Sequence, residues 1–183
     1  MTIWTIGHST RTLDELLALL APFEVQAVAD VRRHPGSRRQ PWFLREALEA
    51  SLPPRGFKYR WIPALGGRRR ARPDSTNDAW RNASFRGYAD YIETPEFADG
   101  LEVLLDLARQ RRTAMMCAEI LWWRCHRALI ADVLKFRGIE VVHILDEKHA
   151  VAHPYTSAAR IVDARLSYAA PESGTAAGSP GDL

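Results

Sequence analysis

With 183 residues, 46% hydrophobic positions and a net charge of +3, the chain can bury one full core, and it contains no apolar run of membrane-spanning length. No basic-then-apolar leader precedes Met1-Thr2-Ile3-Trp4-Thr5-Ile6, which enters an apolar strand pattern directly, so a cytoplasmic location without a membrane partner is expected. Two cysteines make no disulfide framework.

Thr2 to Ile6 reads as a buried strand, and Gly7-His8-Ser9-Thr10 turns out of it. Leu13, Leu16, Leu17 and Leu20 fall at i, i+3, i+4 and i+7, so a helix follows, capped by Thr10 or Thr12 and ended by Pro22. Val25 to Val31 is a second strand. A helix is expected from about Pro41 to Leu52, with Pro41 suited to its first turn, and a third strand over Phe57 to Ile62. Residues 63 to 83 form the longest irregular stretch, and loops of that length inside a compact domain are usually functional or partly disordered. Helices over Phe85 to Ile92 and from Thr94-Pro95-Glu96 precede the apolar run Ala114-Met115-Met116, which delivers Cys117 and Glu119 to the end of a fourth strand. Arg124-Cys125-His126-Arg127 opens an amphipathic helix that stops at Arg137-Gly138, and Ile139 to Ile144 is a fifth strand. Order weakens after Glu147, although Ala159 to Tyr168 suits one edge strand. The alternation predicts an α/β fold. It is a single domain over 1–168 with a mainly parallel open sheet of about five strands, helices on both faces and a disordered tail over 169–183.

Charge is distributed unevenly. Between Arg32 and Arg86 there are 14 Lys/Arg against four Asp/Glu, a net of +10, while the remainder carries −7. A GC-rich genome explains arginine over lysine, but not the clustering. Aromatic residues (Trp42, Phe43, Phe57, Tyr59, Trp61, Trp80 and Phe85) interleave with these arginines, as in a groove that binds phosphates and stacks bases. Arg38, Arg39, Arg68, Arg69 and Arg70 are the candidate nucleic-acid contacts. The plainer alternative is core aromatics beneath a solvated basic surface.

In an open parallel sheet the binding crevice lies at the carboxyl ends of the strands. Gly7-His8-Ser9, Asp30-Val31-Arg32 and Cys117-Ala118-Glu119 each follow a predicted strand, so all three converge on one edge, with Arg124 to Arg127 one loop away. Cys125 at a helix start among Arg124, His126 and Arg127 is an environment that lowers a thiol pKa and attracts an anion, which Arg124 and Arg127 would clamp. The alternative is a half-buried small apolar residue. Cys117 ends an apolar strand and taken alone is structural. Glu119 suits a general base, and His8, beside Ser9 and facing Asp30, an acid/base or ligand donor. Asp30 and Arg32 either bind ligand or form an ion pair that joins two loops. Cys117-x7-Cys125-His126, even with His8 added, matches no common zinc spacing, so no metal is expected and the cofactor is left unassigned.

Thr5-Ile6-Gly7-His8-Ser9, Asp30-Val31-Arg32 with Pro35 and Ser37-Arg38-Arg39, Leu65-Gly66-Gly67, Phe85-Arg86-Gly87-Tyr88-Ala89-Asp90-Tyr91, Met116-Cys117-Ala118-Glu119 and Cys125-His126-Arg127 together resemble the domain-of-unknown-function 488 family. His153-Pro154-Tyr155-Thr156-Ser157-Ala158-Ala159-Arg160 resembles its C-terminal pattern. The resemblance implies a bacterial or archaeal α/β protein with functional residues at these strand-end motifs, and it names no reaction. One departure is Ile120-Leu121-Trp122-Trp123, where similar proteins are more polar; the two tryptophans would cover the site or meet a partner.

Three functions are consistent with these residues. The first is an enzyme acting on a phosphate-containing nucleotide or nucleic-acid substrate, with Cys125, Glu119, His8 and Cys117 as catalytic candidates and Ser9, Asp30, Arg32, Arg124, His126 and Arg127 as binding candidates. The second is a non-catalytic nucleic-acid-binding module. The third is thiol chemistry like that of rhodanese or cysteine-phosphatase domains, although Cys117 to Arg124 is one residue longer than a C-x5-R loop and that loop lacks glycine.

Overall fold

The computed structural model describes residues 1–36 and 39–171. Five parallel strands, β1 (Thr2–Gly7), β2 (Ala27–Asp30), β3 (Lys58–Trp61), β4 (Thr113–Cys117) and β5 (Glu140–Ile144), join an antiparallel edge strand β6 (Ala150–Ala152). Their order is β3-β2-β4-β1-β5-β6. Because the side-chain period of a strand is two, each strand supplies both faces with apolar groups. Trp4, Ile6, Val28, Ala114 and Met116 meet α1 (Leu13–Leu20) and α2 (Arg45–Ser51). On the other face Ile3, Ala27, Ala29, Met115 and Val141 meet α3 (Ala83–Ile92), α4 (Pro95–Gln110) and α5 (Arg127–Phe136). The expected α/β architecture is the one observed.

Thr12, not Thr10, caps α1, accepting from the Glu15 N–H while the Glu15 carboxylate reaches back to Thr12, a reciprocal capping box. Proline at the first turn and Thr94 as cap start α4 as predicted. Three expectations need correction. The helix expected from Pro41 is a 3-10 turn, Pro41–Phe43, followed by α2, because Leu44 is extended (φ −62°, ψ 147°) and interrupts it. The edge strand expected over Ala159 to Tyr168 is a separate hairpin, β7 (Arg160–Val162) and β8 (Arg165–Ser167). Its turn residues Asp163 and Ala164 both have positive φ (48° and 55°), the conformation that folds a two-residue hairpin. The sheet also gains β6, whose three residues are too few to show alternation in sequence. Of the stretch 169–183 expected as a tail, only 169–171 are among the described residues. The amides of Ala169 and Ala170 are held by Ser167 Oγ and the Asp78 carboxylate, and from 172 onward the tail lies outside the described residues. No helix among the described residues is long and apolar enough to cross a membrane.

Candidate functional site at the carboxyl edge

Strand β4 lies between β1 and β2, so the chain segments leaving these three strands share one edge. The amides of His8 and Ser9 donate to the carbonyls of Cys117 and Ala118 (both 2.9 Å), and that of Val31 to Met116 (3.0 Å). Gly7 makes the first of these approaches possible: a Cβ there would lie 2.6 Å from Ile120 Cα and overlap the Glu119 carbonyl. The three strand-end motifs therefore converge as the parallel-sheet argument requires.

Asp30 and Arg32 form a buried bidentate pair, with Nε to Oδ1 at 2.8 Å and Nη2 to Oδ2 at 2.6 Å. The Arg32 amide and the Tyr59 hydroxyl complete the carboxylate's partners, and Nη2 also donates to the Phe43 carbonyl. This is the loop-joining ion pair. It leaves Arg32 Nη1 to donate to His8 Nε2 at 3.2 Å. His8 must then be the Nδ1–H tautomer, donating to the Ser9 carbonyl (3.0 Å), with its ring stacked on Phe43 at 4.1 Å. Burial, then the Arg32 charge, lower its pKa from 6.5 to about 4, so His8 is neutral at pH 7. Its partner is Arg32, not Asp30 or the Ser9 hydroxyl.

Cys117 (end of β4) and Cys125 (two residues before α5) are both buried, and neither is in a disulfide. Their sulfurs and a His126 ring nitrogen lie within 4.8 Å of one another. His126 Nε2–H donates to the Val31 carbonyl (2.9 Å), which leaves Nδ1 facing Cys125 Sγ at 3.6 Å. Arg127 is almost wholly buried. Its Nε–H donates to Cys125 Sγ at 3.3 Å and its Nη2 to the Glu119 carbonyl. Burial alone would raise the Cys125 pKa, but hydrogen bonding from Cys117 and the adjacent His126 and Arg127 outweigh it and hold it well below the usual thiol range. Cys117 is pushed up in turn by its hydrogen bond to Cys125 and by burial. Arg127 is therefore engaged with the protein's own Cys125 sulfur and Glu119 carbonyl, not with an outside anion. Arg124 is exposed, and so is Glu119, which contributes its carbonyl inward while its carboxylate accepts only from the Leu121 amide among the described residues.

A cavity of about 160 Å³ opens over this cluster, lined by Arg32, Arg33, His34, Gly67, Arg68, Cys117, Ala118 and His126. A larger open depression of about 630 Å³ lies at the opposite, amino edge against Met1, Gln26 and Arg109 to Arg112, and it holds none of the strand-end motifs. The irregular stretch after Pro63 brings Gly67 and Arg68 to the cavity because α3 fastens it. Tyr88 and Tyr91 hydroxyls donate to the Leu65 and Ala64 carbonyls, and Gly87 admits the Arg69–Ala71 backbone. Asp90 accepts from Ser75, Asn77 and the Arg72 amide. The Phe85-to-Tyr91 motif is thus a loop clamp. Of the nucleic-acid candidates, Arg69 is paired within the protein, with Gly66, Glu96 and the Tyr91 ring. Arg39, Arg68 and Arg70 are exposed, and Arg38 lies outside the described residues.

The family model described as "Domain of unknown function DUF488" matches residues 12–134. The chain belongs to the DUF488 family. Neither curated proteins nor solved structures gave any match. The DUF488 match spans Asp30, Arg32, Cys117 and Cys125 to Arg127, and it leaves His8 and everything after Leu134 beyond its ends.

One part of this edge escaped the sequence reading. Asp132, on the buried side of α5, accepts from His153 Nε2 (2.9 Å), both the amide and hydroxyl of Thr156, and the Tyr168 hydroxyl. His153 Nδ1 then accepts from His143 Nε2 (2.8 Å), and His143 Nδ1 from the Thr5 hydroxyl (2.7 Å). Burial first, then the neighbouring His153, lower the His143 pKa from 6.5 to about 3, so His143 enters this chain of bonds as a neutral imidazole. Trp122 lies flat on His143 at 4.1 Å, whereas Trp123 is half exposed. The available signal was an acid set among Leu129, Ile130, Val133 and Leu134, on the apolar face of a helix.

Proposed function

We propose that this DUF488 chain is an enzyme acting on a phosphate-containing substrate, a nucleotide or a nucleic acid, bound at the carboxyl edge of the sheet. The observation that carries this reading is the cavity itself, which Arg32, Arg33 and Arg68 line together with Cys117 and His126. Guanidinium groups at a recess suit phosphate oxygens, and a cysteine and a histidine lining the same recess are groups that do chemistry. Arg33 and Arg68 bind the phosphate, Cys117 and His126 face the reacting group, and Cys125, behind them and hydrogen-bonded to Cys117, raises the Cys117 pKa. Two free cysteines suit a reducing compartment such as the cytoplasm.

The test is alkylation of Cys117 and Cys125, read site by site by mass spectrometry. Inorganic phosphate, a nucleoside monophosphate and an oligonucleotide are compared as protectants. Protection of Cys117 that is lost in Arg33→Ala and Arg68→Ala supports the reading. Equal rates with and without every phosphate compound at low salt refute it. The clustering of arginine between Arg32 and Arg86 favours a second reading, a non-catalytic nucleic-acid-binding module. That reading requires salt-steep oligonucleotide binding that is indifferent to Cys117→Ser and Cys125→Ser.

A further inference from the structure

We propose that Cys117, Cys125 and His126 form a three-ligand site for a divalent transition-metal ion of the zinc type, with the fourth position open to the basic cavity. Along the chain their spacing resembles no zinc pattern, but ligation depends on separation in space. The 3-10 turn Trp122–Arg124 folds the intervening loop back, so that the two sulfurs and one ring nitrogen lie within 4.8 Å of one another. Bonds of about 2.3 Å to sulfur and about 2.0–2.1 Å to nitrogen, tetrahedrally arranged, place ligand atoms about 3.5–3.8 Å apart. Cys125 Sγ and His126 Nδ1 are already 3.6 Å apart.

Three further features fit a metal better than a simple thiol pair. His126 is oriented by its other nitrogen, whose N–H is held by the Val31 carbonyl, so Nδ1 presents a lone pair toward the sulfurs. Metal-ligating histidines are typically braced in this way. Access to Nδ1 depends on residue 67 having no side chain, since a Cβ there would come within 2.8 Å of that atom. The Arg127 Nε–H hydrogen bond to Cys125 Sγ steadies a thiolate ligand, and two thiolates cancel the charge of a dication, so buried Arg127 faces a neutral centre. His8, another histidine at this edge, is not a ligand because its Nε2 is committed to Arg32. Cys117 and His126 line the cavity whereas Cys125 lies behind them, so the coordination position left over points into the space between Arg32, Arg33 and Arg68. Three protein ligands and one open position are the arrangement of catalytic rather than structural zinc. The metal site stands without the function proposed above. Only the identity of its fourth ligand, a phosphate oxygen, rests on that reading.

The experiment uses the full chain, reduced, stripped with chelator and titrated with cobalt(II) in the absence of any phosphate compound. Saturation at one equivalent is expected. It should bring a sulfur-to-cobalt charge-transfer band and the strong visible bands of a four-coordinate ion, all displaced by zinc. Cys117→Ser, Cys125→Ser and His126→Gln, each checked for native circular dichroism, should lose affinity by at least about ten-fold, with weaker charge transfer in the two serine variants. If a variant fails to fold, one equivalent of zinc must instead slow alkylation of both cysteines in the unmodified chain. Weak octahedral bands only, titrations unchanged in folded ligand variants, or alkylation indifferent to zinc overturn the metal site. Inorganic phosphate is then added to the cobalt form. Altered visible bands support phosphate as fourth ligand. Unaltered bands with one cobalt still bound overturn that assignment and leave the metal standing.

Discussion

Replacing Gly7 by alanine probes the contact that brings the strand ends together. The added Cβ meets Ile120 Cα at 2.6 Å, and it also meets the carbonyl carbon of Glu119, so the obstruction is backbone and not the tip of a flexible side chain. Reaching ordinary contact near 3.4 Å requires the segment after β4 to move by at least about 0.8 Å for Ile120 Cα, and further for the Glu119 carbonyl oxygen. That movement pulls on the His8–Cys117 and Ser9–Ala118 backbone hydrogen bonds and on the Arg127 bond to the Glu119 carbonyl. Overpacking costs about 1–3 kcal/mol and each weakened hydrogen bond about 0.5–1.5 kcal/mol, so a loss of about 3–5 kcal/mol is expected. Against a total stability of about 5–15 kcal/mol this is a large fraction, readily measured by urea denaturation. Gly36→Ala is the control, because among the described residues a Cβ there meets nothing within 4 Å, and it should change stability by less than about 1 kcal/mol. A loss below about 1 kcal/mol in Gly7→Ala would refute the argument that this glycine is required by a close backbone approach.

Arg127→Met removes the donor to Cys125 Sγ and a nearby positive charge. The pH midpoint of Cys125 alkylation should therefore rise, and an unchanged midpoint would exclude Arg127 as a source of its acidity. Asp132→Ala strands the His153, Thr156 and Tyr168 donors in the interior and is expected to cost about 3–5 kcal/mol in chemical denaturation, against about 1 kcal/mol for Tyr168→Phe. Stability should also depend on pH through the neutral histidines. His8 and His143 titrate near 4 and 3 in the folded chain instead of 6.5, so between these values the unfolded chain binds more protons and stability rises with pH, levelling above 6.5. The His8 share is about 3 kcal/mol, lost as the pH falls from 6.5 to 4, and His8→Gln should flatten that part of the slope in denaturation curves taken across the range.

The strand-end motifs were legible because short apolar runs place them. Such runs, buried on both faces, locate β1, β2 and β4, and parallel strands put everything that follows them on one edge. The Leu13-to-Leu20 stripe and the Thr94-Pro95 start were legible for the same kind of reason. Partner choice within the edge was not. Arg127 read with Arg124 as an anion clamp, and Arg32 as either a ligand contact or the partner of Asp30. In the fold Arg127 holds Cys125 and Arg32 holds His8 as well as Asp30, because a buried guanidinium must spend its donors on whatever acceptors the packing supplies. The loop clamp at Phe85 to Tyr91 was hidden similarly, since its tyrosines and Asp90 bind backbone and side chains 13 to 27 positions away.

Local pattern thus determined the α/β layering, the strand polarity, the carboxyl edge as the place for polar residues and the cysteine-rich turn between β4 and α5. These follow from hydrogen bonding and burial within short stretches. Tertiary structure alone decided that Cys117, Cys125 and His126 share one small volume, that Asp132, His153 and His143 form one buried chain, and that Arg68 reaches the cavity. Each of these depends on a distance between residues far apart in sequence, or on desolvation by neighbours no local window contains. Both are properties of packing, not of sequence spacing.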